Sequence, residues 1–588
     1  MISSSTYQLR YWWNTIAFPT SRYEAISAND CWSRRQERFA FVSLFIASSL
    51  VMLPNLSYPL MDPDETRYAQ IALEMVQSRD WITPTLQGDA YLDKPPLMYW
   101  LTAASFNLWG QSETAARLPS VIAALTTVML TFVLGRRLVG SRAAWLGSCA
   151  LILCGGFVLA GRFLILDSML SLFVLTCLLT GYIAVRESNH RWAWWIASGV
   201  ACALGVLTKG PVALVLCAPP LVMSGWLRND QTRVRLFHWA AFAVPMALVC
   251  VPWYVAVWKL NSNFGDYFFL EHNLKRFTEG SNHEQPFWFY LPVLFAGMFP
   301  ASLLLPSLAV FLVSRSDRKR LLRSQDLGFV FCSSVWILFF FSIARCKLPT
   351  YILPAIPLIC LLLGSMLHHT VFNSKLQNRI TEFLKPFPKR SNLILVVACL
   401  IILGVDFWLT NQGLSGRVSG VSMAVLLVCI VVVLTTVARW KRSDCETHRS
   451  WAMTALIAVA LLAFSASWFL PRLATRLSVY AHTEKIIEQS PGTPIVFYGE
   501  RPHAASLRMS SDGVVYFPLE RDADFAYFVK SHGQVLVIMH RSQVAETSCM
   551  IQATHQLSST GTHRHLFWAK PLPYVAKQTA GTDSAEIR

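Results

Sequence analysis

Runs of roughly twenty apolar residues recur along most of this chain, and they constrain its fold more than any motif does. They begin near Phe39, Leu118, Ala143, Leu164, Trp192, Pro211, His238, Tyr290, Leu327, Tyr351, Asn392, Val421 and Trp451, about thirteen candidate spans by the length of a membrane-crossing helix. Charged residues make up 14% of the 588, against about 25% in an ordinary soluble protein. A core solvated by lipid rather than by water accounts for that deficit.

The net charge of +17 does not describe a nucleic-acid binder, because the Lys and Arg residues form no basic domain. They fall in short clusters between the apolar runs, and this alternation sets an orientation. Arg34/Arg35/Arg38, Arg136/Arg137/Arg142, Arg228/Arg233/Arg235, Arg315 to Arg323, Lys375 to Arg390 and Arg439/Lys441/Arg442 belong on the cytoplasmic side. The loops between them, and everything after about Pro471, then belong outside. The 14 Cys include no CxxC pair, which supports neither a zinc site nor a disulfide framework.

Three domains follow: a cytoplasmic extension 1–38, a transmembrane domain 39–470 with a first external loop 57–117, and an external α/β domain 471–588. In the tail, Ile495–Tyr498, Val514–Phe517 and Gln534–Met539 read as buried strands, with Glu484 to Gln489 helical. In the first loop, Ala69–Val76 and Pro96–Leu108 read as helices lying along the interface.

Six external segments carry charge at the membrane edge, where it is costly unless it serves a site or a partner. Asp62-Pro-Asp64-Glu65-Thr-Arg67-Tyr68 has the order of a helix start, with Asp62 as N-cap and Pro63 in the first turn. Such a start holds its acids rigidly and leaves one free to face a cavity. Tyr91-Leu-Asp93-Lys94-Pro-Pro96 keeps an acid and a base in a stiff turn, where a phosphate can reach Lys94. Arg162 and Asp167 bracket a hairpin and can close it as a pair; Lys209, in Thr208-Lys-Gly-Pro211, can simply snorkel to the interface. His272 and Arg276 are i, i+4 neighbours expected on one helical face. Arg345, Lys347 and Tyr351 close the set. Gathered on one side, these residues suit an anionic headgroup, with cations for phosphate and acids for a metal or a proton.

In this order the motifs resemble the GT-C superfamily of integral-membrane glycosyltransferases. The resemblance is nearest to the 4-amino-4-deoxy-L-arabinose lipid A transferases and the bacterial protein mannosyltransferase relatives. It rests on Asp62 to Tyr68, Tyr91 to Pro96, Arg162 to Asp167, Thr208 to Pro211 and Lys347 to Tyr351, and implies a membrane all-α fold. It further implies catalytic roles for Asp64, Glu65 and Asp167. Lys94 and Arg276, joined by Arg67 and Lys347, would hold the carrier phosphate, and Tyr91, Lys209, Arg345 and Tyr351 would contact substrate. Asp93 and His272 match a position for a divalent metal, although Asp93 stands where the family has Glu.

The implied reaction is inverting transfer of an aminoarabinose from undecaprenyl phosphate to lipid A phosphate. It would proceed on the periplasmic face of a bacterial inner membrane, by a monomer with no nucleic-acid partner. Protein or polysaccharide is the alternative acceptor. A lipid or sugar transporter is the rival class, but the chain shows neither the internal repeat nor the mid-membrane charges of one. A scaffold acting through its tail is weaker, since the tail has no nucleophile–base or metal spacing.

Overall fold

The computed structural model describes residues 32–187, 190–227, 234–279, 283–314, 322–372 and 447–478, then 492–499, 514–540, 551–559 and 564–571, with a few isolated positions besides. The chain divides into two compact units, Met1–Tyr58 with Pro63–Arg472, and Pro59–Asp62 with Leu473–Arg588.

The first unit is helical. Its elements are α1 Arg34–Met52, α2 Asp64–Ser78, the strands β1 Thr85–Leu86 and β2 Asp89–Ala90, α3 Leu97–Trp109, α4 Glu113–Val139, α5 Ser141–Ile152, α6 Gly155–Arg162 and α7 Leu166–Arg186. There follow α8 Arg191–Lys209, α9 Val212–Leu227, α10 Leu236–Leu260, α11 Tyr290–Gly297, α12 Leu305–Val313, α13 Gln325–Ile343, α14 Ile356–Leu367 and α15 Thr447–Phe464.

Among the described residues six helical stretches are long and apolar enough to cross a membrane: Glu113–Val139, Leu166–Arg186, Leu236–Leu260, Gln325–Ile343, Pro349–Phe372 and Trp451–Thr475. Several runs that look continuous in sequence are cut. The run from Ala143 stops after twelve helical residues at Leu153, and the run from Tyr290 breaks between α11 and α12. The runs from Asn392 and Val421, the basic clusters at 375–390 and 439–442, Arg228, Arg233 and most of 315–323, the helix at 484–489 and most of 1–38 lie outside the described residues.

Local chemistry explains where the helices begin and end. The Ser33 hydroxyl and the Gln36 side chain form a reciprocal capping box at α1. Ser112 caps α4 by accepting from the Ala115 amide, Glu113 opens its first turn, and Arg136 and Arg137 close its last, each charge opposing the helix dipole. Where α5 crosses the stretch containing α14 the backbones touch. A Cβ added at Gly364 would lie 2.1 Å from the Ala143 carbonyl oxygen, and one at Gly147 would lie 2.7 Å from the Cys360 carbonyl oxygen. Small residues allow this approach between apolar helices. Gly364→Leu is therefore expected to prevent stable assembly, read as loss of the monodisperse peak in detergent; a normal peak and unfolding temperature would refute the crossing.

The second unit carries a five-stranded sheet in the order β4–β3–β5–β7–β6. Its strands are β3 Ile495–Tyr498, β4 Val514–Phe517, β5 Val535–His540, β6 Ile551–Ser559 and β7 Arg564–Pro571. β3 runs parallel to both β4 and β5, and β7 pairs antiparallel with β5 and β6. Every residue of β3 is buried, as the unbroken apolar pattern of a strand covered on both faces requires. The helix Asp522–His532 covers one face through Phe525 and Val529.

Candidate active site

The first loop is a rigid platform. α2 buries Tyr68, Ile71, Ala72 and Met75, and α3 buries Met98 and Tyr99 against it. The helix begins at Asp64, so Pro63 and not Asp62 is its N-cap residue. A Gln87-Gly88 turn with both residues at positive φ joins β1 to β2. Glu74 anchors this hairpin to α2 by accepting from Thr85 Oγ1 at 2.8 Å and from the Gln87 amide at 2.6 Å. The turn bearing Tyr91, Asp93 and Lys94 leaves directly from β2.

Glu65 was expected to share the chemistry of Asp64, and the structure gives it another task. The residue is 2% exposed and its carboxylate is paired side-on with Arg117, Nε to Oε1 at 2.8 Å and Nη2 to Oε2 at 2.7 Å. It also accepts the Leu164 amide at 2.8 Å. Arg117, fully buried, donates Nη1 to the carbonyls of Leu56 and Tyr58 and stacks 3.7 Å over the Tyr58 ring. Glu65 is thus a latch between the first loop, α4 and the turn before α7. Asp64, one residue earlier, is 47% exposed at its side chain and lies 3.8 Å from Arg67.

The hairpin of Arg162 and Asp167 is not closed by their pairing. Arg162 donates to the carbonyls of Val51, Met52, Pro54, Asn55 and Ala466, tying the exit of α1 to the end of the last span. Asp167 instead pairs with Lys209, and its other oxygen accepts from Thr350 Oγ1 at 2.8 Å. Lys209 therefore does not snorkel; its ammonium sits 4.0 Å over the Tyr351 ring.

The segment Asp266–Lys275 winds as a π-helix, so its wide turns replace the expected i, i+4 face. His272 still meets Lys94, with Nε2 to Nζ at 2.6 Å, and its Nδ1 lies 3.8 Å from Asp93. Asp93 accepts the Tyr267 hydroxyl and a second bond from Tyr91, which also meets Arg67. Arg276 donates Nε to Cys346 Sγ at 3.4 Å. The strand-like pairing of 345–347 with 283–285 holds Cys346 there.

Lys94, Lys209, His272, Arg276 and Tyr351 line one cavity of about 320 Å³, whose other walls include Phe269, Phe340, Phe341 and Val215. Lys347 is not in that wall. It is buried, and its ammonium caps the carbonyls of Gln285 at 2.8 Å and Ala344 at 2.5 Å, a structural use of a residue expected to hold phosphate. Arg345 is exposed and borders a neighbouring open pocket with Glu284 and Phe287. Tyr68 lies in electrostatic range of Asp64, Asp167 and Arg67, and Tyr351 of Arg276, Asp167 and Asp64, so the distant segments form one field.

Burial and the neighbouring cations lower two groups in this space, Lys94 and His272. Desolvation, then Lys209 and Arg276, lower the Lys94 ammonium to about 7, against the pull of Asp93 and Asp167. Desolvation, with Lys94 and Arg276, lowers His272 to about 4, so it is a neutral imidazole accepting from Lys94. Desolvation works to raise Asp93, and the Tyr267 hydrogen bond, with the charge of Lys94 and the Tyr91 hydrogen bond, outweighs it, leaving the carboxyl below its usual range.

The same geometry tests the expected metal pair. Asp93 and His272 bring two donors, and the Nε2 lone pair of His272 is already taken by Lys94. Among the described residues no group of three or more His, Cys, Asp or Glu side chains could hold an ion. These residues do not fit a resident dication.

Sequence reasoning overlooked Arg117, Tyr267, Thr350 and Cys346 as supports of the site. Arg117 alone left a signal, as a charge at the mouth of an apolar run that lipid would not tolerate unpaired.

Residues 38–268 match the family model described as dolichyl-phosphate-mannose-protein mannosyltransferase. An undecaprenyl phosphate-alpha-4-amino-4-deoxy-L-arabinose arabinosyl transferase of Pseudomonas fluorescens (strain Pf0-1) is 35% identical over 341 residues, 56% of this chain and 58% of that protein. The match with a Pseudomonas aeruginosa protein (strain UCBPP-PA14) of the same description likewise spans 60% of the relative's length. One from Serratia proteamaculans is 28% identical over 85% of this chain and 93% of its own. In structure, ArnT from Cupriavidus metallidurans bound to undecaprenyl phosphate superposes with a TM-score of 0.65 at 22% identity, covering 91% of this chain and 98% of that one. The chain therefore has the fold of ArnT from Cupriavidus metallidurans and, in sequence, resembles the undecaprenyl phosphate 4-amino-4-deoxy-L-arabinose arabinosyl transferases.

Proposed function

We propose that the chain is an inverting glycosyltransferase that moves 4-amino-4-deoxy-L-arabinose from undecaprenyl phosphate to lipid A phosphate. The observation that carries this reading is one cavity lined both by the cations Lys94, Lys209 and Arg276 and by the apolar rings of Phe269, Phe340 and Phe341. Cations beside an apolar wall suit a phosphate attached to a long hydrocarbon, and the names of the relatives supply the sugar and the carrier. The site belongs to the periplasmic face of an inner membrane, because Arg34, Arg35, Arg136, Arg137 and Arg142 sit at the other helix ends. We read residues 1–38 as a cytoplasmic extension, 39–470 as the transferase domain, whose remaining apolar runs complete the spans, and 471–588 as a periplasmic domain.

In the reaction an acceptor phosphate oxygen attacks the anomeric carbon. The bond from that carbon to the carrier phosphate oxygen breaks, and its electron pair stays with the carrier. The carrier phosphate changes from a diester with one negative charge to a monoester with two. Lys94 and Arg276 therefore hold it more strongly in the transition state than in the ground state, which is the condition for raising the rate. An acceptor phosphate is already ionised near neutrality and needs no strong base. Asp64, half-exposed at the start of α2, positions the acceptor or the sugar amine, and Asp167 fixes Lys209 in the wall.

Carrier binding follows pH with a definite sign. Lys94 is depressed to about 7 in the free site, and a phosphate restores its charge. Above that pH binding takes up close to one proton, and affinity falls by up to about tenfold per pH unit; below it the uptake vanishes. Calorimetry of undecaprenyl phosphate in buffers of different ionisation enthalpy at pH 8 and pH 6 measures this. Equal proton uptake at both would contradict the role given to Lys94.

The reading itself is tested by Asp64→Asn. Transfer is expected to fall by at least about 10³-fold, within the range of a lost positioned acid or base, while undecaprenyl phosphate still binds. Normal turnover would sink the assignment.

A further inference from the structure

A second cavity, about 350 Å³, opens at the end of the bundle away from Lys94. It lies among the start of α1, the start of α5, the end of the span containing α14, and the start of α15, with Leu146, Leu153, Leu304, Leu367, Ala455 and Ala458 as its apolar lining. Connectivity fixes which end this is. α1 carries Trp32 just before its first residue, while its last carbonyls, Val51 and Met52, receive Arg162. Nineteen residues of helix separate the two, about 28 Å.

The lining chemistry is selective. Among the described lining residues Arg142 is the one charged side chain, and three indoles, Trp32, Trp145 and Trp451, accompany it. The rings of Trp32 and Trp145 lie 6.1 Å apart, and Trp451 packs on Phe372 at 6.3 Å. Indoles with an arginine mark the level of lipid headgroups, and alanines at 150, 452, 455 and 458 leave a narrow slot below them. The size falls at the small end of ligand pockets, about 300–1,000 Å³.

We propose that this crevice is a specific site for an anionic glycerophospholipid, with an acyl chain in the slot and the headgroup phosphate on the Arg142 guanidinium. The charge at the mouth favours an anion, and the leaflet on the basic side of a bacterial membrane supplies anionic lipids. Nothing in this site takes part in the transfer described above, and the proposal does not rest on it.

Delipidated full-length protein, incubated with phosphatidylglycerol, phosphatidylcholine or undecaprenyl phosphate and examined by native mass spectrometry, tests the idea. Phosphatidylglycerol is expected to be retained in preference to phosphatidylcholine. Arg142→Gln should weaken that preference about fivefold, the attraction of one basic residue for an anionic headgroup. Ala455→Trp should remove retention of both phospholipids while the unfolding temperature stays near that of the parent. If Ala455→Trp unfolds the protein, Arg142→Gln, a change of charge alone, decides. Equal retention of the two phospholipids by the parent, an unchanged preference in Arg142→Gln, retention that survives filling of the slot, or stoichiometric displacement of phosphatidylglycerol by undecaprenyl phosphate would each overturn the proposal.

Discussion

Lys94→Met is expected to lower kcat/KM for the carrier-linked sugar by about 10²–10³-fold, the usual cost of removing one preorganised group that stabilises developing negative charge. The size of the effect follows from where Lys94 stands. Its ammonium lines the cavity with Lys209 and Arg276, and His272 holds it through Nε2 at 2.6 Å. Asp167 engages Lys209 and Cys346 engages Arg276, so neither neighbour can move over without breaking a contact. Methionine keeps most of the volume and removes the charge, which separates electrostatics from packing. Initial rates and undecaprenyl phosphate affinity should fall together. A loss of less than about threefold in rate would mean that the phosphate lies elsewhere.

Arg117→Met is expected to destabilise the protein by about 3–5 kcal/mol, because it leaves Glu65 as a buried, uncompensated charge. The same change frees the carbonyls of Leu56 and Tyr58 and the stacking on Tyr58. Glu65→Met alone should cost a comparable amount by stranding the guanidinium. The double variant Glu65→Met/Arg117→Met should recover much of the loss, since neither charge then remains buried. Unfolding monitored in detergent gives the three values. Additive losses in the double variant would show that the two residues do not act as a pair.

These two expectations mark what the sequence reveals and what it conceals. Charged residues in the turns between apolar runs are legible because lipid makes them conspicuous, and Lys94, Lys209, His272 and Arg276 do line one cavity. Partner choice is not legible. Asp167 turns to Lys209 and Thr350 rather than to Arg162, whose Nη groups donate to five carbonyls of the α1 exit and the span 451–475. Those partners lie more than a hundred residues away in most cases, and backbone carbonyls leave no residue signature. Lys347 reads like any other cation beside a Pro-Thr-Tyr turn, yet it satisfies carbonyls that a broken strand pairing exposes. The π-helical winding of 266–275 likewise changes which side chains share a face without altering the residues that suggest a helix.

The proposed transfer of an aminopentose from undecaprenyl phosphate to lipid A would be read from the mass of lipid A. The purified protein is incubated with lipid A and undecaprenyl phosphate-linked 4-amino-4-deoxy-L-arabinose, with Asp64→Asn run beside it. Lipid A heavier by one aminopentose residue is expected with the parent protein, and unmodified lipid A with the variant. Lipid A left unmodified by a parent protein that still binds undecaprenyl phosphate would contradict it.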